Sequence, residues 1–279
     1  MKQGLFCGLL LGSMAVQGFA QEEMIFSYKA GQFEVYMLVE NRGPGRSSIL
    51  IGADAALLEQ YLSGGNFQSE TNTFLIRGSG RTVVVDTGFG TTIFESMNRL
   101  GVNPGDVDAV LLTHMHGDHI GGLQKDGRAL FPKALVYLAR QEREYWADKS
   151  AASSLAPYGD RVRTFLPGEL GDRMEELLPG ISAIAAFGHT PGHTAFLLSS
   201  EGQKLLIWGD LMHVMDIQFP RPDISVSYDV DPAAAADIRK KILAYVAENH
   251  IPIAGMHLVY PALGTVSAQG SGYRFTAAR

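Results

Sequence analysis

The chain has 279 residues, of which 46% are apolar and 19% charged, with a net charge of −6. This balance describes a globular protein and excludes an intrinsically disordered one, and the negative charge argues against a nucleic-acid partner. Cys7 is the sole cysteine, so a chain processed beyond it has neither a disulfide nor a thiolate ligand.

Residues 1–20 stand apart. Lys2 is their single charge, an apolar run spans Leu5 to Val16, and the small residues Gly18 and Ala20 precede Gln21. This is the pattern of a secretory signal peptide, cleaved near Gln21. The run is too short and too glycine-rich to be a membrane span. The expectation is a single domain over residues 21–279, periplasmic or secreted, without stable membrane insertion after cleavage.

The next elements read as strands at Ile25–Tyr28 and Phe33–Val39, a loop at Asn41–Gly45, and a short helix from Ala55 to Leu62 stopped by Gly64-Gly65. Thr73–Ile76 and Thr82–Val85 form a hairpin around Gly78-Ser79-Gly80, and the second strand runs into Asp86-Thr87-Gly88. A helix is expected over Thr91–Leu100, then a strand over Ala109–Thr113 that delivers His114. A strand over Phe131–Ala139 leads into a charged helix, Arg140–Lys149, bearing Tyr145 and Trp146. Residues 150–180 are rich in Pro and Gly and read as irregular. An apolar strand, Ile181–Phe187, runs into Gly188-His189, and a hairpin turning at Glu201-Gly202 ends in Gly209-Asp210. Met212–Tyr228 reads as a long loop. Asp231 caps a helix with Pro232 in its first turn, and Ile238, Ile242, Tyr245 and Val246 give it an apolar stripe. A strand over Ile251–Met256 delivers His257, and two more lie around Val266 and Tyr273.

Four apolar strands therefore end in a candidate ligand: His114, His189, Asp210 and His257. Rigid strands fix the loops that follow them, so sites in layered α/β folds form beyond the strands' carboxyl ends. The densest of these ends is His114-Met115-His116-Gly117-Asp118-His119, three imidazoles and a carboxylate within six residues. Those are the side chains that zinc and similar ions take as ligands. Asp86, at the end of its own strand, is either a turn aspartate or a carboxylate that hydrogen-bonds a ligating histidine from behind, and the context favours the latter. His193 reads as a loop support. His250 follows a helix and reads as a surface residue. His213 stands evenly between a substrate-pocket residue and an ordinary buried one.

Taken together, Val85-Asp86-Thr87-Gly88, Thr113 to Gly122, Gly188-His189-Thr190-Pro191-Gly192-His193, Gly209-Asp210 and Met256-His257 resemble the metallo-β-lactamase superfamily over nearly the whole mature chain. Gly31–Val35, Phe131-Pro132, Val214–Phe219 and Gly272–Phe275 carry a finer likeness to methyl parathion hydrolases and related lactonases. The resemblance implies an α/β fold, a four-layer αββα sandwich. It implies two divalent metal ions, most simply zinc: one held by His114, His116 and His189, the second by Asp118, His119 and His257, with Asp210 bridging. It also implies that a hydroxide between the ions attacks a lactone, an ester or an organophosphate triester, with Asp118 orienting the nucleophile or accepting its proton. A homodimer is implied by family likeness alone.

Asp210 makes β-lactamase chemistry the minor alternative, because zinc β-lactamases of this fold usually lack that bridge. A thioester hydrolase is a further alternative, and a non-catalytic metal-binding module a weaker one. The pocket is expected from residues 24–68 and the loops 140–180 and 211–229. Trp146, Tyr145 and Phe219 are its candidate apolar wall, each read singly as a core residue, together as a lining for an uncharged, partly hydrophobic small molecule, with His213 as the further pocket candidate.

Overall fold

The strands at the centre of the chain are apolar on both faces, and the structure accounts for this by burying both. In the computed structural model, which describes residues 24–171 and 174–279, alternate residues of each strand enter different cores. Val35, Met37, Phe74, Ile76, Val83 and Val85 pack with Phe196 and Ile207 of the second sheet in one core. Their neighbours Leu38, Leu75, Val84, Val110 and Val136 pack on the opposite side with Ile93 and Met97 of a helix. A period of two with both faces buried reads in sequence as an unbroken apolar run. The leader expected over residues 1–20 lies outside the described residues.

Among the described residues there are two seven-stranded sheets. The first runs from edge to edge as Ile25–Ala30, Phe33–Arg46, Asn66–Gly78, Arg81–Val85, Ala109–Leu111, Leu135–Ala139 and Val162–Phe165. The second runs as Glu175–Leu178, Ile181–Ala185, Thr194–Ser200, Gln203–Ile207, Ile253–Ala254, Leu263–Gln269 and Gly272–Ala277. Both are mixed, with antiparallel hairpins beside parallel pairs such as Val84 on Val110 and Ile207 on Ala254. Helix Ile93–Arg99 packs on the outer side of the first sheet, and helix Pro232–Glu248 contributes Ile242, Leu243 and Val246 to the core of the second. The result is the expected α/β sandwich of two sheets between helices. None of the described helices is long and apolar enough to cross a membrane.

Local chemistry sets the boundaries. Asp231 caps the long helix by accepting from Ala234 N at 3.0 Å, with Pro232 in the first turn. Asp54 caps Ala55–Tyr61 by accepting from Leu57 N at 2.9 Å. Ser79-Gly80 and Glu201-Gly202 both take positive φ at two consecutive residues, the two-residue turn whose twist suits a hairpin.

Some expectations change. Asn41–Gly45 is not a loop: Phe33–Arg46 continues through it and pairs with Asn66–Thr71 after a bulge at Val39/Asn41. The neighbouring strand pairs only with residues 33–38, so Pro44 sits where one side of the strand is unpaired, and there proline is tolerated. Residues 150–180 hold a 3₁₀ run, Ser150–Arg161, and strands Val162–Phe165 and Glu175–Leu178. Met212–Tyr228 holds the short helix Met215–Gln218 and the strand Ser225–Val226, which pairs with Leu50–Ile51. The strand expected over Ile251–Met256 shortens to Ile253–Ala254, and that over Phe131–Ala139 begins at Leu135.

Candidate metal centre

The carboxyl ends of the central strands of both sheets converge, and the candidate ligands meet there. Val85 leads to Asp86, Leu111 to His114, Ala185 to His189, Ile207 to Asp210 and Ala254 to His257. His114, His119, His189, Asp210 and His257 are buried, whereas His116 and Asp118 are half-buried at the mouth. All seven ligands expected from the sequence are in the cluster. His114, His116, His189 and Asp210 form one group whose donor atoms lie within 4.8 Å of one another, and Asp118, His119 and His257 form a second.

Asp210 lies between the groups. Its Oδ1 is 3.1 Å from His119 Nε2, and its Oδ2 is 3.1 Å from His257 Nε2, 3.3 Å from His189 Nε2 and 3.6 Å from His114 Nε2. Asp118 Oδ2 lies 3.5 Å from His257 Nε2 and 3.7 Å from His119 Nε2.

These contacts fit a divalent cation better than they fit hydrogen bonds. His116 Nδ1 is 2.9 Å from both His114 Nε2 and His189 Nε2, three ring nitrogens converging on one point. Ligands at 2.0–2.1 Å around a tetrahedral ion stand about 3.3 Å apart, close to the spacing seen. His119 Nε2 and Asp210 Oδ1 are both buried without a hydrogen-bond partner, a costly condition unless a cation takes both.

Several of the rings are held from their far side. Asp86 is fully buried and accepts from His119 Nδ1 at 2.7 Å, from Thr113 N at 2.8 Å and from Thr113 Oγ1 at 2.6 Å. Asp229 takes His189 Nδ1 at 2.8 Å, and the Glu70 carbonyl takes His257 Nδ1 at 2.7 Å. His193 donates through Nδ1 to Ala186 O at 2.8 Å and accepts from Asp210 N through Nε2 at 2.9 Å, which ties two strand ends together. Such partners fix the tautomer and leave the inward nitrogen's lone pair free. Asp229→Ala is expected to weaken metal retention about 10–100-fold, read by competition with a chromophoric chelator.

The charges interlock. Burial works to raise Asp210, yet His119, His257, His114 and His213 hold its carboxyl well below the usual range. Burial pushes His119 and His189 down, but Asp210 with Asp118 and Asp86 holds His119 well above its ordinary value, and Asp210 with Asp229 brings His189 up to about 9. Burial, then the neighbouring imidazoles, keep His114 well below and take His116 to about 4. At neutral pH the metal-free cluster thus holds protons on His119 and His189 that an ion must displace. Metal affinity is therefore expected to rise as pH climbs toward the His189 value of about 9, roughly tenfold per unit for each proton released. Chelator competition at pH 6.5, 7.5 and 8.5 reads this directly.

The cluster floors a cavity of about 720 Å³. One wall is Asn41, Pro44 and Arg46 with Ile49, and another is Phe67, Ser69 and Thr71. Phe89 and Tyr228, 45% and 52% exposed, form an apolar rim. His213 belongs to this site: it lines the cavity, its Nε2 is 3.1 Å from Asp210 Oδ2, and its ring stacks on His257 at 4.7 Å. The other wall candidates are corrected. Phe219 is 3% exposed in the core, stacked on Phe275 at 5.4 Å and beside Trp208. Trp146 packs edge-on against His116 at 5.6 Å but lines a separate 330 Å³ cavity, and Tyr145 packs on Trp146 instead. The described residues of segment 140–180 give this cavity no lining residue. His250 is exposed and distant from the cluster's residue set, as expected for a surface histidine. Sequence reading missed Asp229 and Glu142. Each acid lies far along the chain from the histidine loop it supports, and no local pattern marks it.

The family described as Metallo-beta-lactamase superfamily matches residues 67–250. The chain superposes on the hydrolase AbOPH of the beta lactamase superfamily with a TM-score of 0.84 at 27% identity, over 93% of this chain and 99% of that one. It superposes on AidC, described as a dizinc quorum-quenching lactonase, also with a TM-score of 0.84, at 23% identity over 92% and 99% of the two chains. A hydroxyacylglutathione hydrolase of Klebsiella pneumoniae is 29% identical over 146 residues, 52% of this chain and 48% of that protein. The chain thus spans about half the length of that curated relative.

Proposed function

The chain belongs to the metallo-beta-lactamase superfamily, and on that premise we propose that it is a dinuclear metal-dependent hydrolase acting on a lactone, an ester or an organophosphate triester. The observation that carries the reading is Asp210, whose carboxylate reaches both groups: Oδ1 lies 3.1 Å from His119, and Oδ2 lies 3.1–3.6 Å from His257, His189 and His114. In this reading His114, His116 and His189 hold one ion, Asp118, His119 and His257 hold the other, and Asp210 joins both. Two divalent ions there would lower the pKa of water and polarise a carbonyl or phosphoryl oxygen.

The chain's own residues do the rest. Asp86, Asp229 and the Glu70 carbonyl hold the outer N–H of His119, His189 and His257, so that the inward nitrogen is the one an ion meets once it has displaced any proton there. Asp118, a quarter exposed at the cavity floor, is placed to orient the attacking water and accept its proton. Phe67, Ile49, Phe89 and Tyr228 bind the apolar part of the substrate and exclude water from its far side. No general acid is needed where the leaving group is good or remains on the metal-binding floor. The finer likeness to methyl parathion hydrolases is part of this proposal, as is export, which rests on the leader-like residues 1–20 alone.

The zinc ions and acyl-homoserine product of AidC belong to that protein, and here they set which metal and substrate to try first. One observation favours a second reading as a thioester hydrolase: the likeness to hydroxyacylglutathione hydrolase. The test is turnover by zinc-loaded protein of a γ-lactone with an acyl side chain, an aryl lactone, methyl paraoxon, a glutathione thioester and a cephalosporin. Lactone, ester or phosphotriester turnover that chelation removes and zinc restores is the expected result. Thioester turnover far above the rest would move the assignment to the second reading. Cephalosporin turnover alone, or silence across the panel from protein holding two ions, would overturn the proposal.

A further inference from the structure

Helix Arg140–Trp146 carries one buried charged side chain that the chemistry above does not use. Glu142 is fully buried, and its carboxylate takes four hydrogen bonds. Oε1 accepts from Met115 N at 2.8 Å and from Trp146 Nε1 at 2.6 Å. Oε2 accepts from Thr190 Oγ1 at 2.6 Å and from Gly192 N at 3.0 Å. Met115 stands between His114 and His116, and Thr190 directly follows His189. One carboxylate thus ties together the two loops whose ring nitrogens meet at His116 Nδ1. Trp146, which backs the His116 ring edge-on, hangs from the same oxygen as Met115. Gly192 leaves room for this approach, since a Cβ there would collide with the backbone of Glu142.

We infer that Glu142 is a positioning residue for the first metal group, setting the spacing of His114, His116 and His189. The inference rests on the metal-centre reading above and adds to it which buried carboxylate holds that group in shape. Glu142 accepts no hydrogen bond from a residue of the second group and does not line the substrate cavity. Its effect is therefore one-sided: retention of the first ion depends on it, whereas retention of the second and the KM for substrate do not. The carboxylate is specifically required. Two of its partners are backbone N–H groups and one is an indole N–H, none of which can reverse to accept. A glutamine of the same size sets its NH₂ against at least one of them whichever way it lies.

The experiment measures zinc dissociation, by competition with a chromophoric chelator, in two backgrounds that each leave one group whole. In His257→Ala the first group remains complete, and adding Glu142→Gln is expected to weaken the retained ion about 10–100-fold. In His116→Ala the second group remains complete, and the same substitution is expected to change retention by no more than about twofold. In the otherwise unaltered protein Glu142→Gln is expected to lower kcat at limiting zinc with KM unchanged. Equal weakening in both backgrounds would make Glu142 a general strut and overturn the inference, and so would no weakening in either. If Glu142→Gln does not fold, Trp146→Phe removes one donor and carries the same comparison. It is expected to weaken only the first ion, by roughly two- to tenfold, and equal or absent loss overturns the inference. The unaltered protein is the control: if it binds no metal, the metal-centre reading fails and this inference falls with it. If it binds two ions and the variants do not discriminate, this inference alone fails.

Discussion

Asp210→Ala is expected to lower kcat/KM for the best substrate by at least about 10³-fold, since several kcal/mol of charge stabilisation are lost at 1.36 kcal/mol per decade. It is also expected to leave protein that retains fewer than two equivalents of metal. The other ligands offer five neutral imidazoles and a single carboxylate, Asp118, which is half-buried at the mouth. Asp210 is the buried anion between the two groups, with an oxygen toward each. Removing it would leave two dications in the proposed centre unshielded from one another, and leaves His119 Nε2 and His257 Nε2 with Asp118 alone, at 3.7 and 3.5 Å. The backbone link from Asp210 N to His193 Nε2 survives the substitution, so the strand end stays anchored. Metal content by elemental analysis beside steady-state kinetics reads both effects. Activity within tenfold of the unaltered protein, with two ions retained, would show that the carboxylate does not bridge.

Trp208→Ala is expected to carry the largest cost in stability, about 3–5 kcal/mol, or a fall in Tm of about 10 °C for a domain of this size. Trp208 is fully buried in the core between the sheets and packs beside Phe219. Its backbone N–H donates to Ala254 O at 3.0 Å, joining the strand that delivers Asp210 to the one that delivers His257. A Cβ at Gly255 would strike the indole, so that glycine allows the close approach of the two strand ends. The cavity left by alanine lies directly beneath two ligands, and metal retention is expected to fall together with stability. Thermal unfolding of metal-loaded and chelated protein separates the two: the loss of stability persists after chelation if packing is its cause.

The cluster of candidate ligands was legible because its signal is local or repeats a rule. Three histidines and an aspartate fall within six residues at His114–His119, and the remaining ligands each close an apolar strand. The layered fold was legible for the same reason, since strands buried on both faces read as continuous apolar runs. What was not legible depends on pairing across long stretches of chain. Asn41–Gly45 has loop composition, and only its register with Phe67–Thr71 makes it strand and cavity wall. Phe219 looked like a pocket aromatic, and its true neighbour, Phe275, is remote in sequence. Trp146 is near the metal groups but turned toward Glu142, a rotamer that no sequence pattern encodes. Asp229 and Glu142 are single acids whose partners, His189 and the two ligand loops, lie tens of residues away. The groups that bind were written in motifs, whereas the groups that hold them in place were written in the fold.

The most direct test of the account is a zinc titration of chelated protein, with the initial rate of hydrolysis of an acyl-substituted γ-lactone, or of whichever panel substrate is turned over, measured at each addition. The two-group centre built around Asp210 predicts activity that climbs to a break at two equivalents of zinc per chain and then stays level. A break at one equivalent, or a rate indifferent to zinc, would contradict it.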